Sequence, residues 1–484
     1  MRVFEKLKPQ DVFYYFEEIC RIPHGSGNVR EISDYLVNFA KERNLEHYQD
    51  EIGNVIIIKE ASTGYEDHEP VMLQGHMDMV AVKKPDCDID MAKEGLRLRT
   101  EGDKIYAEGT SLGGDDGIAV AYGLALLAGK EYKHPRIELV ITVDEETGMD
   151  GARAIDFAPC KAHTLINLDS EEEGYFWVGC AGGARVNYGL SYEEMKIEGI
   201  PCTIKVSGLL GGHSGAEIHK ERGNANCLLG RVLAELSGKA TFAIESMEGG
   251  LADNAIPREA VANLVLTGEA SSAAKAAKEV VLQIQKELAA ELADKDPGVK
   301  LEISFAESAE RSCMEEKNSA RIAAFLNSIP HGVQAMSGAM EGLVETSLNL
   351  GIFSCKRGEL HGGISVRSSL ESAKNALILK LKSIGVLAGI SVEVTGDYPG
   401  WAYRKDSPLR DKMTEVYERM YHRKPEIRAI HAGLECGLFS GKIENLDCVS
   451  IGPDMKNIHT TEEELSISST ERVWEFLIKL LEEL

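Results

Sequence analysis

The stretch VMLQGHMDMV, residues 71–80, carries an aliphatic segment that runs out into a histidine and an aspartate. Its apolar start predicts a buried β-strand, and His76 and Asp78 stand where that strand ends. Ligands of open α/β sheets bind at the carboxyl ends of the strands. The stretch therefore predicts a sheet with a polar site at this edge.

The sequence on both sides of this stretch alternates between helical and strand patterns. Helical periodicity covers residues 11–22, 29–44 and 115–130, and apolar strand patterns cover residues 53–60, 69–76, 136–146 and 162–169. The strand segments are nearly continuous in their apolar character, so we expect the central strands to be buried on both faces. This alternation predicts a layered α/β domain.

The length of 484 residues predicts two domains, because a single hydrophobic core rarely grows that large. The middle of the chain has two rounds of strands and helices, which indicate an α+β layer with an exposed sheet face or edge. The final part returns to the α/β pattern. We therefore expect one α/β domain from residues 1–187 and 396–484, with residues 188–395 inserted as a second domain.

The net charge of −25 argues against nucleic acids and anionic membranes as partners, because both select clustered Lys and Arg. No apolar run reaches the roughly 20 residues that a membrane span needs. The first 20 residues place acids inside their apolar stretch and do not resemble a signal peptide, so we expect a cytoplasmic protein. The ten cysteines are scattered without a CxxC pair, which does not indicate a thiolate zinc site.

Acids and histidines cluster at the ends of the predicted strands and at a glycine-rich turn. Each cluster alone is typical of a turn or a solvated loop, but together they form an inventory of metal ligands without thiolates, suited to Zn²⁺, Co²⁺ or Mn²⁺. Two such ions about 3.5–4 Å apart would need a bridging carboxylate and would suit hydrolysis of an amide. The clusters are His76 and Asp78, Asp115 and Asp116, Asp144 to Glu146, Asp169, and the distant His459.

These motifs resemble those of the dinuclear-zinc metallopeptidases, a family that includes carboxypeptidase G, aminoacylase, peptidase T and succinyl-diaminopimelate desuccinylase. The motifs that carry the resemblance are GHMDMV (75–80), GGDDGIA (113–119), DEETG (144–148) and IHT (458–460). The segments GLLGGHSG (208–215), VGCAGGARV (178–186) and PGWAY (399–403) are similar to the branch of bacterial aminoacyl-histidine dipeptidases. The resemblance implies a layered α/β catalytic domain, with residues 188–395 as an inserted α+β lid domain.

The resemblance implies two divalent cations, Zn²⁺ before Co²⁺ or Mn²⁺, and assigns their ligands residue by residue. His76 and Asp169 would hold one ion, and Glu146 and His459 the other. Asp115 would bridge the two. Relatives often have Asn at the position that follows the bridging residue, and the extra acid here leaves two carboxylates to choose between.

The resemblance also implies a mechanism in which a metal-bridged hydroxide attacks the amide. Glu145 would act as general base and later protonate the leaving amine. Asp78 would orient His76 by accepting its second ring N–H. His213 would come from the lid domain, of its own chain or of a partner, and stabilise the tetrahedral oxyanion.

For the substrate, the resemblance implies small dipeptides, including Xaa-His, and a homodimer that forms through the lid domain. Arg367 would bind the terminal carboxylate in a fork. Asn254 would position the scissile group or the carboxylate, or is a turn residue. Glu435 would meet the free α-amine. The alternatives are an N-acyl-amino-acid deacylase, another short-peptide aminopeptidase, or a catalytically silent binding protein on the same fold.

Overall fold

The computed structural model describes residues 2–484, which form two compact units. The first unit comprises the chain up to Gly179, together with Tyr403–Ala429 and Leu434–Leu484. The second comprises Cys180–Ala402 and the short segment Ile430–Gly433. Nothing in the sequence pattern indicated that residues 430–433 would pack with the second unit.

The first part of the chain alternates helices with strands. The helices are α1 (Gln10–Cys20), α2 (Arg30–Glu42), α3 (Gly114–Ala128) and α4 (Asp150–Ala154). The strands are β1 (Glu46–Gln49), β2 (Val55–Lys59), β3 (Val71–His76), β4 (Leu98–Glu101), β5 (Lys104–Ala107), β6 (Ile137–Thr142), β7 (Thr164–Asn167) and β8 (Tyr175–Cys180).

The middle of the chain is richer in strands. They are β9 (Gly182–Ser191), β10 (Glu194–Ser207), β11 (Gly212–His213), β12 (Phe242–Gly249), β13 (Ala255–Ile256), β14 (Ala260–Leu266), β15 (Lys300–Phe305), β16 (Ala309–Met314), β17 (Gly332–Met336), β18 (Val344–Lys356), β19 (Glu359–Ser368) and β20 (Ser391–Tyr398). The helices are α5 (Ala225–Ser237), α6 (Ala270–Glu291), α7 (Glu316–Ser328) and α8 (Glu371–Ala388), with a 3₁₀ turn at Ile218–Lys220.

The last part returns to the α/β pattern. Its elements are α9 (Pro408–Tyr421), β21 (Glu426–Ile430), α10 (Glu435–Lys442), β22 (Asp447–Ser450), β23 (Met455–Lys456), β24 (Glu464–Ser466) and α11 (Ile467–Leu481). Helix α9 begins where its sequence dictates, because the Ser407 hydroxyl accepts the Arg410 N–H and Pro408 occupies the first turn.

The first unit is built on an eight-stranded mixed sheet with the order β1-β2-β6-β3-β7-β22-β8-β21. Strand β3 runs parallel to β6 and β7, and β22 runs parallel to β7. Every residue of β3 and β6 is buried, which confirms the prediction of central strands covered on both faces. Gly75 allows α3 to lie close to β3, since a Cβ there would come within 2.5 Å of the Ala119 Cβ.

The second unit is built on an antiparallel sheet of ten strands. Eight of them follow the order β15-β10-β14-β12-β18-β19-β9-β20, and the other two, β16 and β17, pair with β10 and β18. Residues of α5, α6, α7 and α8 share one hydrophobic core with this sheet. Strand β20 lies at the edge of the sheet. The predicted α+β character of the middle of the chain is confirmed. In the described part of the chain, residues 2–484, we find no helix with both the length and the apolar character of a membrane span.

Candidate metal centre

Three neighbouring parallel strands bring side chains to one edge of the first unit's sheet. His76 is the last residue of β3, Glu145 and Glu146 follow β6, and Asp169 follows β7. Because the strand order is β6-β3-β7, these side chains emerge beside one another at the carboxyl ends of the strands. The imidazole Nε2 of His76 lies 3.5 Å from Asp169 Oδ1.

Asp115 reaches the same place by a different route. It lies in the glycine-rich turn at the start of α3, and an irregular segment separates this turn from the end of β5 at Ala107. The backbone of Asp115 (φ −84°, ψ 105°) departs from helical geometry. Its carboxylate lies between two imidazoles, with Oδ1 3.1 Å from His76 Nε2 and Oδ2 3.1 Å from His459 Nε2.

His459 comes from the far end of the chain, in the turn between β23 and β24. Its backbone is left-handed, with φ +61°, and its side chain is 44% exposed. Its Nε2 lies 2.9 Å from Oε1 of Glu146. This Glu146 oxygen is buried. Such convergence of imidazole nitrogens and carboxylate oxygens fits a shared cation.

The residues described contain three sets of side chains whose ligand atoms lie within 4.8 Å of one another. All three sets offer imidazole nitrogens and carboxylate oxygens, and none includes a cysteine. This donor chemistry suits Zn²⁺, Co²⁺ or Mn²⁺. The sets are His76, Asp116 and Asp169; His76, Glu145 and Glu146; and Asp115, Glu146 and His459.

Asp116 supports the end of β3 and does not face both imidazoles. Its Oδ2 accepts the backbone N–H of His76 at 3.1 Å, and the residue is completely buried. Burial raises the pKa of Asp116 well above its usual value. Of the two acids in the glycine-rich turn, Asp115 alone contacts both His76 and His459.

Asp78 connects His76 to the loop that follows β6. The Nδ1 atom of His76 lies 3.0 Å from the main-chain oxygen of Asp78 and 3.4 Å from its Oδ1. The Asp78 carboxylate also accepts the Ser26 hydroxyl at 2.8 Å and the backbone N–H of Glu145 at 3.1 Å. Asp78 thus holds the imidazole mainly through its main-chain oxygen and the backbone of Glu145 through its carboxylate.

Crowding and burial shift the pKa values of the cluster. Burial raises the pKa of Glu145 to about 8 and that of Asp169 to about 8. Hydrogen bonds to Asp115 and Glu146 raise the pKa of His459 to about 10. Burial opposes the charged form of His76, yet the carboxylates of Asp169, Asp115 and Asp78 raise its pKa well above its usual value. The protein without cations therefore holds protons in this cluster.

We expect the metal-free protein to lose stability as pH rises. Asp169, Glu145 and His459 bind protons more tightly in the folded chain than in the unfolded chain. The folded state therefore binds more protons, and the free energy of unfolding falls between about pH 4 and pH 8 for the acids and between about pH 6.5 and pH 10 for the histidine.

Thermal unfolding of chelator-treated protein at pH 6 and pH 9 measures this trend. Added Zn²⁺ at 100 times its Kd should raise the free energy of unfolding by about 2.7 kcal/mol and reduce the pH dependence. The Asp169→Asn variant is the control, because it removes one of the titrating groups and should show a smaller decrease. Equal stability of the chelated protein at both pH values would contradict this reading of the cluster.

Glu435 is buried beneath the same sheet edge, as the first residue of α10. Its Oε2 accepts hydrogen bonds from Gln74 Nε2 at 2.5 Å and from Thr142 Oγ1 at 2.8 Å. Its Oε1 has no hydrogen-bond partner within residues 2–484. Burial, and then the neighbouring Glu145, raise the pKa of Glu435 to about 8.

His213 and Asn254 meet in the second unit. Strands β11 and β13 pair so that His213 lies opposite Ala255, and the Asn254 carbonyl accepts the Ser214 N–H at 2.8 Å. The Nδ1 atom of His213 accepts backbone N–H groups 3.0 and 3.2 Å away, so the neutral ring carries its proton on Nε2. Burial lowers the pKa of His213, which favours this neutral form.

Arg367 lies near this turn, together with a histidine that the sequence analysis did not single out. A Cβ on Gly215 would lie 3.2 Å from Arg367 Nε and 2.7 Å from the His431 carbonyl oxygen. His431 Nε2 is 2.7 Å from the Ser347 hydroxyl, and Ser347 pairs with Arg367 across β18 and β19. Burial, and then Arg367, lower the pKa of His431 to about 4. The Arg367 Nε is buried without a hydrogen-bond partner in residues 2–484.

Two acids near the centre were also missed, because both stand in acidic runs that are typical of solvated loops. Burial, and then Asp115, raise the pKa of Glu171 to about 7. Glu463, in the run 462–464, is buried. No signal in the sequence distinguishes Glu463 from the acids beside it.

Comparison with known proteins identifies the family of this chain. The sequence profile of peptidase family M20/M25/M40 matches residues 72–483. The cytosol non-specific dipeptidase of Escherichia coli (strain K12) is 37% identical over 489 aligned residues, covering 100% of this chain and 99% of that protein.

Solved structures give the same result. The crystal structure of aminoacylhistidine dipeptidase from Vibrio alginolyticus matches with a TM-score of 0.94 at 36% identity, covering 99% of this chain and 98% of that chain. The aminopeptidase PepT from Bacillus cereus ATCC 10987 matches with a TM-score of 0.57 at 17% identity, covering 99% of both chains, which is a likeness of fold alone.

Proposed function

The chain belongs to peptidase family M20/M25/M40, and on this basis we propose that it is a metal-dependent dipeptidase. The resemblance drawn from the motifs and the predicted fold class are confirmed. One observation carries the proposal: the Asp115 carboxylate lies 3.1 Å from the imidazole nitrogens of both His76 and His459. A carboxylate placed between two ligand groups suits a pair of cations better than a single one.

The proposed cofactors are two divalent cations, with Zn²⁺ as the first candidate and Co²⁺ or Mn²⁺ as alternatives. His76 and Asp169 would hold one, Glu146 and His459 the other, and Asp115 both. Bound there, the cations would lower the pKa of a water molecule and polarise the substrate carbonyl. The sulfur-free set of ligands supports this assignment.

Glu145 is the proposed general base. Its backbone is fixed by the Asp78 carboxylate, while its own carboxylate is half-buried beside Glu146. In the proposed assignment the metal ligands are His76, Asp169, Glu146, His459 and the bridging Asp115. Glu145 is then free for proton transfer. It would remove a proton from the attacking water and donate it to the leaving amine.

His213 is the proposed hydrogen-bond donor to the tetrahedral oxyanion. The backbone N–H groups on its Nδ1 fix the tautomer, so its exposed ring presents Nε2–H. A neutral imidazole with a fixed donor can stabilise negative charge that develops on the substrate oxygen. Asn254, tied to the same turn through its carbonyl, is proposed to position the scissile group.

Charged groups for both ends of a dipeptide are also available. Arg367, with its buried and unpaired Nε, is proposed to bind the terminal carboxylate, with the neutral His431 beside it. Glu435, with its buried and unpaired Oε1, is proposed to meet the free α-amine. This second feature favours dipeptides over N-acyl amino acids, because an acylated nitrogen carries no positive charge.

A substrate panel tests the proposal. We expect free dipeptides such as Gly-His, β-Ala-His and Leu-Gly to have the highest kcat/KM. An N-acetylated dipeptide and a dipeptide amide each lose a charge-assisted contact of about 1.5–3 kcal/mol, so each should react at least about tenfold more slowly.

Each other outcome of the panel identifies an alternative function. Faster cleavage of N-acetyl amino acids would indicate a deacylase, and faster cleavage of a tripeptide would indicate another short-peptide aminopeptidase. Bound Zn²⁺ without turnover of any compound would indicate a silent binding protein.

The second unit is the proposed lid domain and the proposed site of homodimer formation. Helix α8 exposes Leu379, Val386 and Leu387, the last with 87% of its surface, close in sequence to the edge strand β20. A second copy could cover this apolar face and pair with the edge, which the mass of the protein in solution tests. The negative charge and the name of the Escherichia coli relative support a cytoplasmic location without nucleic-acid partners.

A further inference from the structure

Glu463 is a buried carboxylate that holds the turn in front of the metal centre. It is 3% exposed, although it stands in the acidic run 462–464. Its Oε2 accepts the backbone N–H groups of Leu112 at 2.8 Å and Gly113 at 3.1 Å. Its Oε1 accepts those of Gly114 at 2.8 Å and Asp115 at 3.4 Å.

These four N–H groups belong to the turn that leads into helix α3, in which the backbones of Asp115 and Asp116 still depart from helical geometry. Buried backbone N–H groups need acceptors, and a carboxylate is a strong one, so Glu463 stabilises this turn. Glu463 supplies that carboxylate from a position almost 350 residues away in the chain. It is therefore bonded to the backbone of Asp115, whose side chain faces both imidazoles.

The same residue closes the loop that carries His459. The Glu463 N–H donates to the Thr460 carbonyl at 3.3 Å, and the Thr460 hydroxyl donates to the Asn457 carbonyl at 2.7 Å. The Asn457 side-chain amide donates to the Glu462 carbonyl at 3.4 Å. The loop 457–463 is thus tied within itself, and strand β24 begins directly after it.

The two neighbouring acids, Glu462 and Glu464, make different contacts. Glu462 is exposed and forms an ion pair with Lys84. Glu464 accepts hydrogen bonds from Lys104 at 2.8 Å and Tyr106 at 2.9 Å. Glu463 is the one acid of this run that reaches the turn 112–115.

We propose that Glu463 is a positioning residue of the metal centre: by joining the turn 112–115 to the loop 457–463, it sets the separation of Asp115 and His459. The proposal rests on the proposed function, because it takes these two side chains as ligands of one cation. The buried carboxylate acts through backbone donors and does not itself face the ligand atoms. Groups that orient metal ligands in this way typically contribute about 10- to 100-fold to metal affinity.

Zn²⁺ titration of the chelator-stripped, full-length protein tests the proposal, with Glu463→Gln as the main variant. The amide keeps the size of the side chain but turns an N–H donor towards two backbone N–H groups. We expect the dissociation constant of the more weakly bound Zn²⁺ ion to rise about 10- to 100-fold. We also expect the visible spectrum of the Co²⁺-loaded variant to differ from that of the wild type.

Two further variants complete the experiment. Glu464→Gln is the matched control and should bind Zn²⁺ like the wild type, because its partners lie away from the turn. Glu463→Asp keeps the charge but moves it away from the turn 112–115 by the length of one methylene group. We expect its Zn²⁺ affinity to lie between those of the wild type and Glu463→Gln. If Glu463→Gln does not fold, the affinity of Glu463→Asp decides the question.

Wild-type Zn²⁺ affinity and an unchanged Co²⁺ spectrum in folded Glu463→Gln, or in Glu463→Asp where it decides, would overturn the proposal. Such a result would leave Glu463 as a group that only stabilises the fold. Failure of the proposed function is distinguishable, because in that case the wild-type protein itself would not bind a pair of Zn²⁺ ions.

Discussion

Replacing Glu145 by glutamine is expected to lower kcat by about 10²- to 10⁴-fold while both cations stay bound. The amide has nearly the shape of the carboxylate but cannot accept the proton of the attacking water. The Asp78 carboxylate should still hold the backbone N–H of residue 145, so the loop after β6 should keep its position. Steady-state kinetics together with metal analysis of the same preparation measure both parts of this expectation.

Glu146→Gln is the matched control, one residue along the chain. It replaces a side chain that lies 2.9 Å from His459, and we expect it to lose metal together with activity. The comparison is informative because the Glu145 carboxylate lies close enough to the ligand atoms of His76 and Glu146 to bind the same cation. Loss of metal from Glu145→Gln would show that Glu145 is a ligand and that the base lies elsewhere.

The Asp115→Ala variant is expected to lose the tight binding of two cations and, with it, detectable turnover. Asp115 is the carboxylate between His76 and His459, so under the proposed assignment its removal would deprive both ions of a ligand and leave their charges unscreened from each other. Metal analysis after dialysis, followed by the dipeptide assay, measures the effect.

The neighbouring variant Asp116→Asn separates the two acids of the turn. Asparagine still offers an oxygen to the His76 N–H, and burial already favours the uncharged form of Asp116. We therefore expect its metal content and kcat to stay near those of the wild type. If Asp116→Asn loses the metal pair while Asp115→Ala retains it, the bridging role belongs to Asp116.

Much of the fold could be predicted from the sequence because its strands are strongly patterned. The aliphatic residues that precede His76 become β3, and those that precede Glu145 become β6. Burial on both faces leaves a continuous apolar signal that local reasoning can detect. Weaker elements were not predicted: β1 and β20 have half-exposed or exposed residues throughout, so their pattern resembles that of loops.

The candidate site was predicted from the order of its motifs, and the structure brings His76, Asp115, Glu146, Asp169 and His459 together. The supporting groups could not be predicted in this way. Glu463 and His431 contact distant parts of the chain. In the sequence they do not differ from an acid of an ordinary acidic loop or from a single histidine. Pairings of this kind depend on tertiary structure, which periodicity does not encode.

In the proposed centre, Asp115 lies between two cations, one held by His76 and Asp169 and the other by Glu146 and His459. An anomalous difference map from Zn²⁺-loaded crystals, recorded at the zinc absorption edge, tests it most directly. We expect two peaks about 3.5–4 Å apart with the Asp115 carboxylate between them. A single peak, or two peaks that do not share Asp115, in a correctly folded protein would contradict it.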